Sequence, residues 1–191
     1  MEQVITAPVY LLHCRLDDVI PFCEWFIFPY LSWFGLIPWA MVILLRRDRT
    51  HYFYLCSVLF TGMALCLVFY FLFPNGVALR PETIGRTNLA ALLVRGIWAL
   101  DSSTNVCPSI HVASTVAILL AVQRSRIWKH RKLTVGICWS LGILICLSAL
   151  FLKQHSFIDV VCGIALTTVL HLIFSHRRFC SPTRLSPSYS V

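Results

Sequence analysis

Charged residues are scarce in this sequence, and acidic ones are the scarcest. Only 13% of its 191 residues are Asp, Glu, Lys or Arg, with eight acidic residues against sixteen basic ones. Soluble domains normally carry about 25% charged residues. Because 58% of the residues are hydrophobic, the composition excludes an ordinary soluble domain and predicts an integral membrane protein.

The sequence also lacks the patterns of metal-binding, repeat and secreted proteins. Its nine cysteines show no paired CxxC spacing and lie mostly inside apolar segments. They are therefore expected to be small buried hydrophobic side chains rather than zinc ligands or disulfides. No internal repeat is present. Residues 4–12 are apolar but too short to span a bilayer, and no cleavage site for a signal peptide is expected.

Long uncharged runs are the main feature that is present. Three windows of 21, 22 and 20 residues contain no charge: residues 25–45, 52–73 and 133–152. Each can cross a hydrocarbon core of about 30 Å as an α-helix. Two weaker candidates are residues 102–123, which are polar in their first third, and residues 157–175, which include Asp159. Residues 87–100 are short and contain Arg95, which predicts an interfacial helix.

The predicted fold is therefore an all-α integral membrane bundle of about five transmembrane helices, or six if residues 87–100 also cross. Eleven of the sixteen basic residues fall into three clusters: residues 46–49, 124–132 and 177–184. With five crossings these clusters share one face, which the positive-inside rule makes cytoplasmic. The amino terminus is then outside, the carboxyl terminus is cytoplasmic, and the active site lies at the outer face.

The sequence is expected to form one membrane domain, residues 1–176, followed by a basic Ser/Pro-rich cytoplasmic tail, residues 177–191. Such a tail is typical of disorder. The net charge of +8 is explained by membrane topology, so the expected partners are membrane lipids and not nucleic acid. The oligomeric state is left open.

The stretch "FLKQHSFIDVV" contains the first candidate catalytic pair. His155 and Asp159 are four residues apart, so on a helix they share one face. The carboxylate can accept a hydrogen bond from one ring nitrogen, which leaves the lone pair of the other nitrogen free to attack. An ionisable pair near the end of a membrane helix is costly and indicates a functional site.

The stretch "NVCPSIHVAS" contains complementary groups. Pro108 is expected in the first turn of a helix, whose free amides form a natural anion site. Ser109 adds a hydroxyl, as a phosphate ligand or as a helix cap, and His111 follows one turn in. Arg80 in the outer loop and Lys153 add cations. Two histidines, a carboxylate, cations and helix-terminal amides suit phosphoryl transfer.

The order of these motifs resembles the type 2 phosphatidic acid phosphatase superfamily, which includes lipid phosphatases, acid phosphatases and vanadium haloperoxidases. The family motifs correspond here to Arg80-Pro81, to the run from Pro108 to His111, and to the run from Ser148 to Asp159. The matched region is residues 73–163, about half of the chain.

The resemblance implies a role for each matched residue. His155 would be the nucleophile that forms a phosphohistidine, Asp159 its orienting partner, and His111 the general acid and later base. Phosphate oxygens would be held by Arg80, Ser109 and Lys153 and by backbone amides. The resemblance implies no metal and no cofactor.

The sequence departs from the full family pattern at three positions. Phe73 and Ala149 replace basic residues, and Ile110 replaces a glycine. Two expected phosphate-binding cations are therefore missing. The candidate replacements are Lys153, Arg86 and Arg95.

Three functions are compatible with these residues. The leading expectation is a metal-independent membrane phosphohydrolase acting on a lipid phosphate of the phosphatidic acid, isoprenyl or sphingoid class. The relaxed motifs are similar to those of inositol phosphorylceramide and sphingomyelin synthases, which makes lipid phosphotransfer the first alternative. The second alternative is an inactive membrane scaffold or transporter with the same fold, supported only by the missing cations at Phe73 and Ala149.

Overall fold

The computed structural model describes residues 10–175, which form seven α-helices and two very short strands. The helices are α1 (Arg15–Val19), α2 (Ile27–Arg47), α3 (Arg49–Leu72), α4 (Leu89–Leu100), α5 (Ile110–Arg124), α6 (Arg131–Phe151) and α7 (Phe157–Ser175). A 3-10 turn, Glu24–Phe26, leads into α2. Strands β1 (Tyr10–Leu11) and β2 (Asn75–Gly76) pair in parallel. The predicted tail, residues 177–191, lies outside the described residues.

The prediction of a helical membrane protein is confirmed at the level of the helices. Within residues 10–175, four segments are long and apolar enough to cross a membrane: Glu24–Arg47, Arg49–Leu72, Arg131–Phe151 and Phe157–Ser175. The segment 87–100, expected to be interfacial, forms the 12-residue helix α4. The remaining predicted span forms α5, which has 15 residues and a length of about 22 Å.

Helix α5 occupies the centre of the bundle and packs against α2, α3, α6 and α7. Nine of its fifteen residues are buried. Small side chains allow close approach on two sides. A Cβ atom at Gly163 of α7 would lie 2.8 Å from the carbonyl oxygen of Ser109, and one at Gly142 of α6 would lie 2.6 Å from the side chain of Leu119. The surrounding helices therefore hold α5 in one position.

The start of α5 differs from the prediction. Pro108 was expected inside the first turn, but the helix begins at Ile110 and Ser109 is its N-cap residue. The Ser109 hydroxyl accepts a hydrogen bond from the backbone N–H of Val112 at 3.4 Å. Asn105 has a φ of 58°, the left-handed region that Asn tolerates better than most residues. The chain thus turns into the bundle before the helix starts.

The segment between α3 and α5 is fastened to the end of α3 by Asn75. Its Oδ1 accepts hydrogen bonds from the backbone N–H groups of Val106 and Cys107, at 3.0 and 2.8 Å. Its Nδ2 donates to the carbonyl oxygens of Phe73 and Cys107 at 2.9 and 3.1 Å. Asn75 is buried, so this one amide fixes the approach to α5.

The basic loops and the candidate catalytic residues lie at opposite ends of the bundle. The Asp48 carboxylate between α2 and α3 accepts a hydrogen bond from the Ser125 hydroxyl after α5, at 2.7 Å. Arg124 donates to the carbonyl oxygen of Ser175 at the end of α7, at 3.4 Å. Residues 46–49, 124–132 and the end of α7 are therefore neighbours. The third basic cluster, residues 177–184, is outside the described residues.

Candidate functional site

The two candidate histidines meet at the other end of the bundle, although they are 44 residues apart in sequence. His111 is the second residue of α5, and His155 lies in the short turn between α6 and α7. His155 Nε2 is 3.5 Å from His111 Nδ1, and the ring centroids are 5.7 Å apart. The packing of α5 against α6 and α7 creates this pair, because it brings the start of α5 next to the turn between those two helices.

Asp159 lies directly behind His155. Its Oδ2 is 3.4 Å from His155 Nδ1, slightly longer than a normal hydrogen bond of about 2.9 Å. The same oxygen accepts the backbone N–H of Ser156 at 2.8 Å, so the carboxylate also caps the start of α7. The side chain is fully buried, and within residues 10–175 neither Asp159 Oδ1 nor His155 Nδ1 has a hydrogen-bond partner.

A cavity of about 240 Å³ opens beside the two histidines. Its polar lining combines imidazole, carboxylate, amide and hydroxyl groups: Asp101, Ser102, Thr104, Asn105, His111, Gln154 and His155. Leu67, Tyr70, Val106 and Ile110 supply the rest of the wall. Among these residues none is Lys or Arg. The positive end of the α5 dipole adjoins the cavity through Ile110 and His111.

Two aromatic residues of α2 that the sequence analysis did not single out, Tyr30 and Trp33, contact the imidazole of His111. The Tyr30 hydroxyl is 3.0 Å from His111 Nε2 and donates to Asp101 Oδ2 at 3.4 Å. The indole of Trp33 lies 4.4 Å from the imidazole, centroid to centroid, and its N–H donates to Ser114 Oγ at 2.9 Å. No local pattern marks these contacts, since Tyr30 and Trp33 are aromatic residues in an apolar run.

Arg80, a predicted phosphate ligand, is engaged by protein oxygens. Its guanidinium donates to the carbonyl oxygens of Asp101 at 2.8 Å and Trp98 at 3.2 Å, and to Gln154 Oε1. The guanidinium carbon also lies 5.5 Å from the centre of the Trp98 ring. Burial lowers the pKa of Arg80, although the Asp101 carboxylate opposes the shift. Arg80 thus joins the end of α4 to the turn that carries His155.

The other two predicted phosphate ligands point away from the cavity. Ser109 is fully buried and serves as the helix cap described above. The Lys153 ammonium group donates to the backbone carbonyl oxygens of Asp17 at 2.6 Å and Ile20 at 2.5 Å. These carbonyl groups belong to α1 and the residue after it. Neither Ser109 nor Lys153 is part of the cavity wall, so the structure does not bring them together with the histidines.

The proposed substitutes for the missing cations are also engaged elsewhere. Arg86 forms an ion pair with the buried carboxylate of Glu24. Arg95 donates to the carbonyl oxygens of Ile84 at 2.6 Å and Arg86 at 2.8 Å. Both arginines therefore stabilise the segment around α4.

Helix α1 supports the His155 turn through Asp17, another residue that the sequence analysis did not identify. Its carboxylate accepts the Ser156 hydroxyl at 2.6 Å and the backbone N–H groups of Phe157 and Cys14 at 2.8 and 2.9 Å. Asp17 is 2% exposed. Together with Lys153, it ties α1 to both sides of His155.

The described residues contain no group of three or more His, Cys, Asp or Glu side chains that could hold a metal ion. The His111, His155 and Asp159 side chains can instead provide a nucleophilic imidazole, its orienting carboxylate and a second imidazole for proton transfer. Comparison with protein-family models, with curated proteins and with solved structures found no match to this chain.

Proposed function

We propose that this protein is a membrane enzyme that transfers the phosphoryl group of a lipid phosphate through a phosphohistidine on His155. The observation that carries the proposal is the pairing of His155 with His111 at 3.5 Å, backed by the buried Asp159 at 3.4 Å. The resemblance of the sequence motifs to the phosphatidic acid phosphatase superfamily also supports it, because the three residues that meet are the three with implied catalytic roles.

The chemistry follows from which nitrogen faces which partner. With its proton on Nδ1 toward Asp159, His155 presents the Nε2 lone pair to the cavity. Nε2 attacks phosphorus while the bond to the lipid alcohol breaks, and His111 protonates the departing oxygen. Water or a second alcohol, deprotonated by His111, then takes the phosphoryl group from His155.

The phosphate oxygens are held without a basic side chain in the cavity wall. The amino terminus of α5 supplies a partial positive charge beside His111. The Asn105 side chain lines the same cavity, and its Nδ2 has no hydrogen-bond partner within residues 10–175. Asn105 is therefore a donor available to a phosphate oxygen, in place of the cations predicted from the motifs.

The proposal places the histidine end of the bundle outside the cytoplasm and makes α5 the fifth crossing. The support is the segregation of the basic loops to the opposite end, since such loops stay cytoplasmic. Epitope tags at the amino terminus and after Lys129 test the orientation. The first should be accessible on intact cells and the second only after permeabilisation; the reverse pattern would overturn the topology.

Phosphate release from purified protein tests the activity. The protein in detergent is given phosphatidic acid, lysophosphatidic acid or an isoprenyl diphosphate with EDTA present. We expect release by the wild type and by His130→Ala, a substitution of an exposed histidine at the opposite end. Release by His155→Ala at the wild-type rate would refute the nucleophile, and strict dependence on added metal would refute the mechanism.

The same assay separates the alternatives. Labelled phosphate or headgroup that appears on added diacylglycerol or ceramide would identify a phosphotransferase. A wild-type protein that neither releases nor transfers phosphate from any of these lipids would support the inactive scaffold or transporter.

A further inference from the structure

We propose that Tyr30 and Asp101 act as a positioning pair for His111 and determine which of its ring nitrogens exchanges protons with the lipid alcohol. The inference rests on the proposed function, because it assigns the partner of the general acid. It concerns residues of α2 and of the loop after α4, outside the family-like motifs.

The geometry forms a continuous chain of contacts between two carboxylates. From Asp159 the chain passes through His155 and His111, with the 3.4 and 3.5 Å contacts already described. It continues from His111 Nε2 to the Tyr30 hydroxyl at 3.0 Å and from that hydroxyl to Asp101 Oδ2 at 3.4 Å. In each imidazole, one nitrogen faces the other imidazole. The second nitrogen of His155 faces the Asp159 carboxylate. The second nitrogen of His111 faces the Tyr30 hydroxyl, which in turn contacts the Asp101 carboxylate.

The direction of the hydrogen bonds follows from the Tyr30 hydroxyl, which has one proton to donate. When that proton is donated to the Asp101 carboxylate, the hydroxyl oxygen accepts the Nε2–H of His111. His111 Nδ1, the nitrogen nearer His155, is then the one that releases or takes a proton. Asp101 stabilises the imidazolium through Tyr30, much as Asp159 serves His155 directly.

The proton balance requires no additional reactant. In the first step the Nδ1–H bond of the His111 imidazolium breaks and an O–H bond to the departing alcohol forms. His111 remains as the neutral tautomer with its proton on Nε2. In the second step Nδ1 accepts the proton of water or of the acceptor alcohol. Tyr30 keeps its own proton throughout.

The surroundings keep this arrangement fixed. The Tyr30 side chain is 2% exposed, and its ring lies 5.0 Å from the imidazole of His111. Gln154 donates to Asp101 Oδ2 at 3.4 Å and accepts a hydrogen bond from Arg80. Arg80 therefore contacts Gln154 and the Asp101 backbone, which gives this arginine a positioning role in the site.

Leaving-group dependence distinguishes positioning of an acid from a structural role. Tyr30→Phe removes the hydroxyl and keeps the ring. We expect kcat/KM for an alkyl phosphate such as dodecyl phosphate to fall about 100-fold, since its alkoxide needs protonation. For 4-nitrophenyl phosphate, whose leaving group departs without protonation, we expect a fall of less than about threefold. Asp101→Asn should show the same selectivity with a smaller loss.

The matched control is Tyr54→Phe. The Tyr54 hydroxyl also contacts a histidine nitrogen, Nδ1 of His171 at 2.5 Å, but at the cytoplasmic end. We expect this variant to act like the wild type on both substrates. An equal loss of both activities in Tyr30→Phe and Asp101→Asn would overturn the positioning role and leave phosphoryl transfer by His155 intact. Activity that survives in His155→Ala would instead refute the proposed function.

Discussion

At the scale of single residues, Asp159 contacts both a helix end and a candidate catalytic histidine. Its Oδ2 caps α7 through the Ser156 N–H and faces His155 Nδ1. Asparagine can keep the cap with its amide oxygen, but it carries no charge for the imidazole. Its NH₂ group would also favour the wrong tautomer of His155, with the lone pair on Nδ1.

Asp159→Asn is therefore expected to lower kcat on the order of 10³-fold or more while the protein stays folded. Phosphate release from a lipid phosphate measures the first effect, and thermal unfolding in detergent measures the second. Asp18→Asn, which changes an exposed carboxylate paired with His13, is the control. An Asp159→Asn variant with wild-type kcat would show that the carboxylate only caps the helix.

The types and spacing of His111, His155 and Asp159 singled them out in the sequence, and the structure places them side by side, while their catalytic roles stay predictions. The sequence could not reveal the roles of Tyr30 and Asp17, because Tyr30 contacts His111 across 81 residues and Asp17 contacts Phe157 across 140 residues of the chain. The sequence also favoured Lys153 as a phosphate ligand. In the structure its ammonium group donates to carbonyl groups of α1 and the residue after it, a contact that the sequence alone could not show. The roles of Arg80, Ser109 and Lys153 toward phosphate stay predictions.

At the scale of helices, the contact between α5 and α7 sets the distance between the two histidines. Gly163 makes it possible, because a Cβ atom there would also lie 3.3 Å from Val112 Cβ. The Ser109 oxygen that such an atom would meet is backbone and cannot rotate away. A methyl group at residue 163 would therefore separate the helices just below His111 and Asp159.

We expect Gly163→Ala to destabilise the protein by about 1–3 kcal/mol and to lower kcat. Gly136→Ala in α6 is the matched control, since nothing lies within 4 Å of its added Cβ and alanine favours helix. Thermal unfolding in detergent and phosphate release measure the two effects. Equal stability of the two variants would contradict the close packing of α5 against α7.

Asp17 of α1 stabilises the turn that carries His155, and the free energy of this stabilisation depends on pH. Burial raises the pKa of the Asp17 carboxyl, but the hydrogen bonds from Ser156, Phe157 and Cys14 outweigh it, so the pKa is lower than usual. A carboxyl whose folded-state pKa is depressed stabilises the fold above its unfolded pKa of about 3.9. That stabilisation is lost as the pH falls below this value.

Asp17→Asn should therefore lower stability by about 1–3 kcal/mol at neutral pH. The difference in Tm between the variant and the wild type should be constant from about pH 7 to pH 5 and should narrow below about pH 4. Thermal unfolding across this range measures it. A difference that widened as the pH fell would contradict the assigned charge state of Asp17.

The helix boundaries show what sequence patterns can and cannot predict at this scale. The uncharged windows located α2, α3 and α6 to within a few residues, because exclusion of charge follows directly from the bilayer. The same criterion failed at the start of α5. The irregular residues 102–109 are uncharged like the helix that follows, so the absence of charge could not show where α5 begins. The start of α5 is marked instead by the backbone turn at Asn105 and by the Ser109 cap.

At the scale of the whole molecule, the bundle separates the basic loops from the candidate catalytic groups. The centre is α5, which is shorter than α2, α3, α6 and α7, and its amino terminus is recessed from the end of α3. Ile110 packs beside Met63 and Cys66, six or more residues before the end of α3 at Leu72. This difference is about 9 Å along the axis.

The most direct test of the central claim is to trap the covalent intermediate. The purified protein is mixed with a lipid phosphate labelled on phosphorus, with EDTA present, and quenched in alkali within the first turnovers. The account predicts acid-labile phosphate on the peptide that contains His155, present in His130→Ala and absent in His155→Ala. Label on another residue, or turnover by the wild type with no labelled protein, would contradict it.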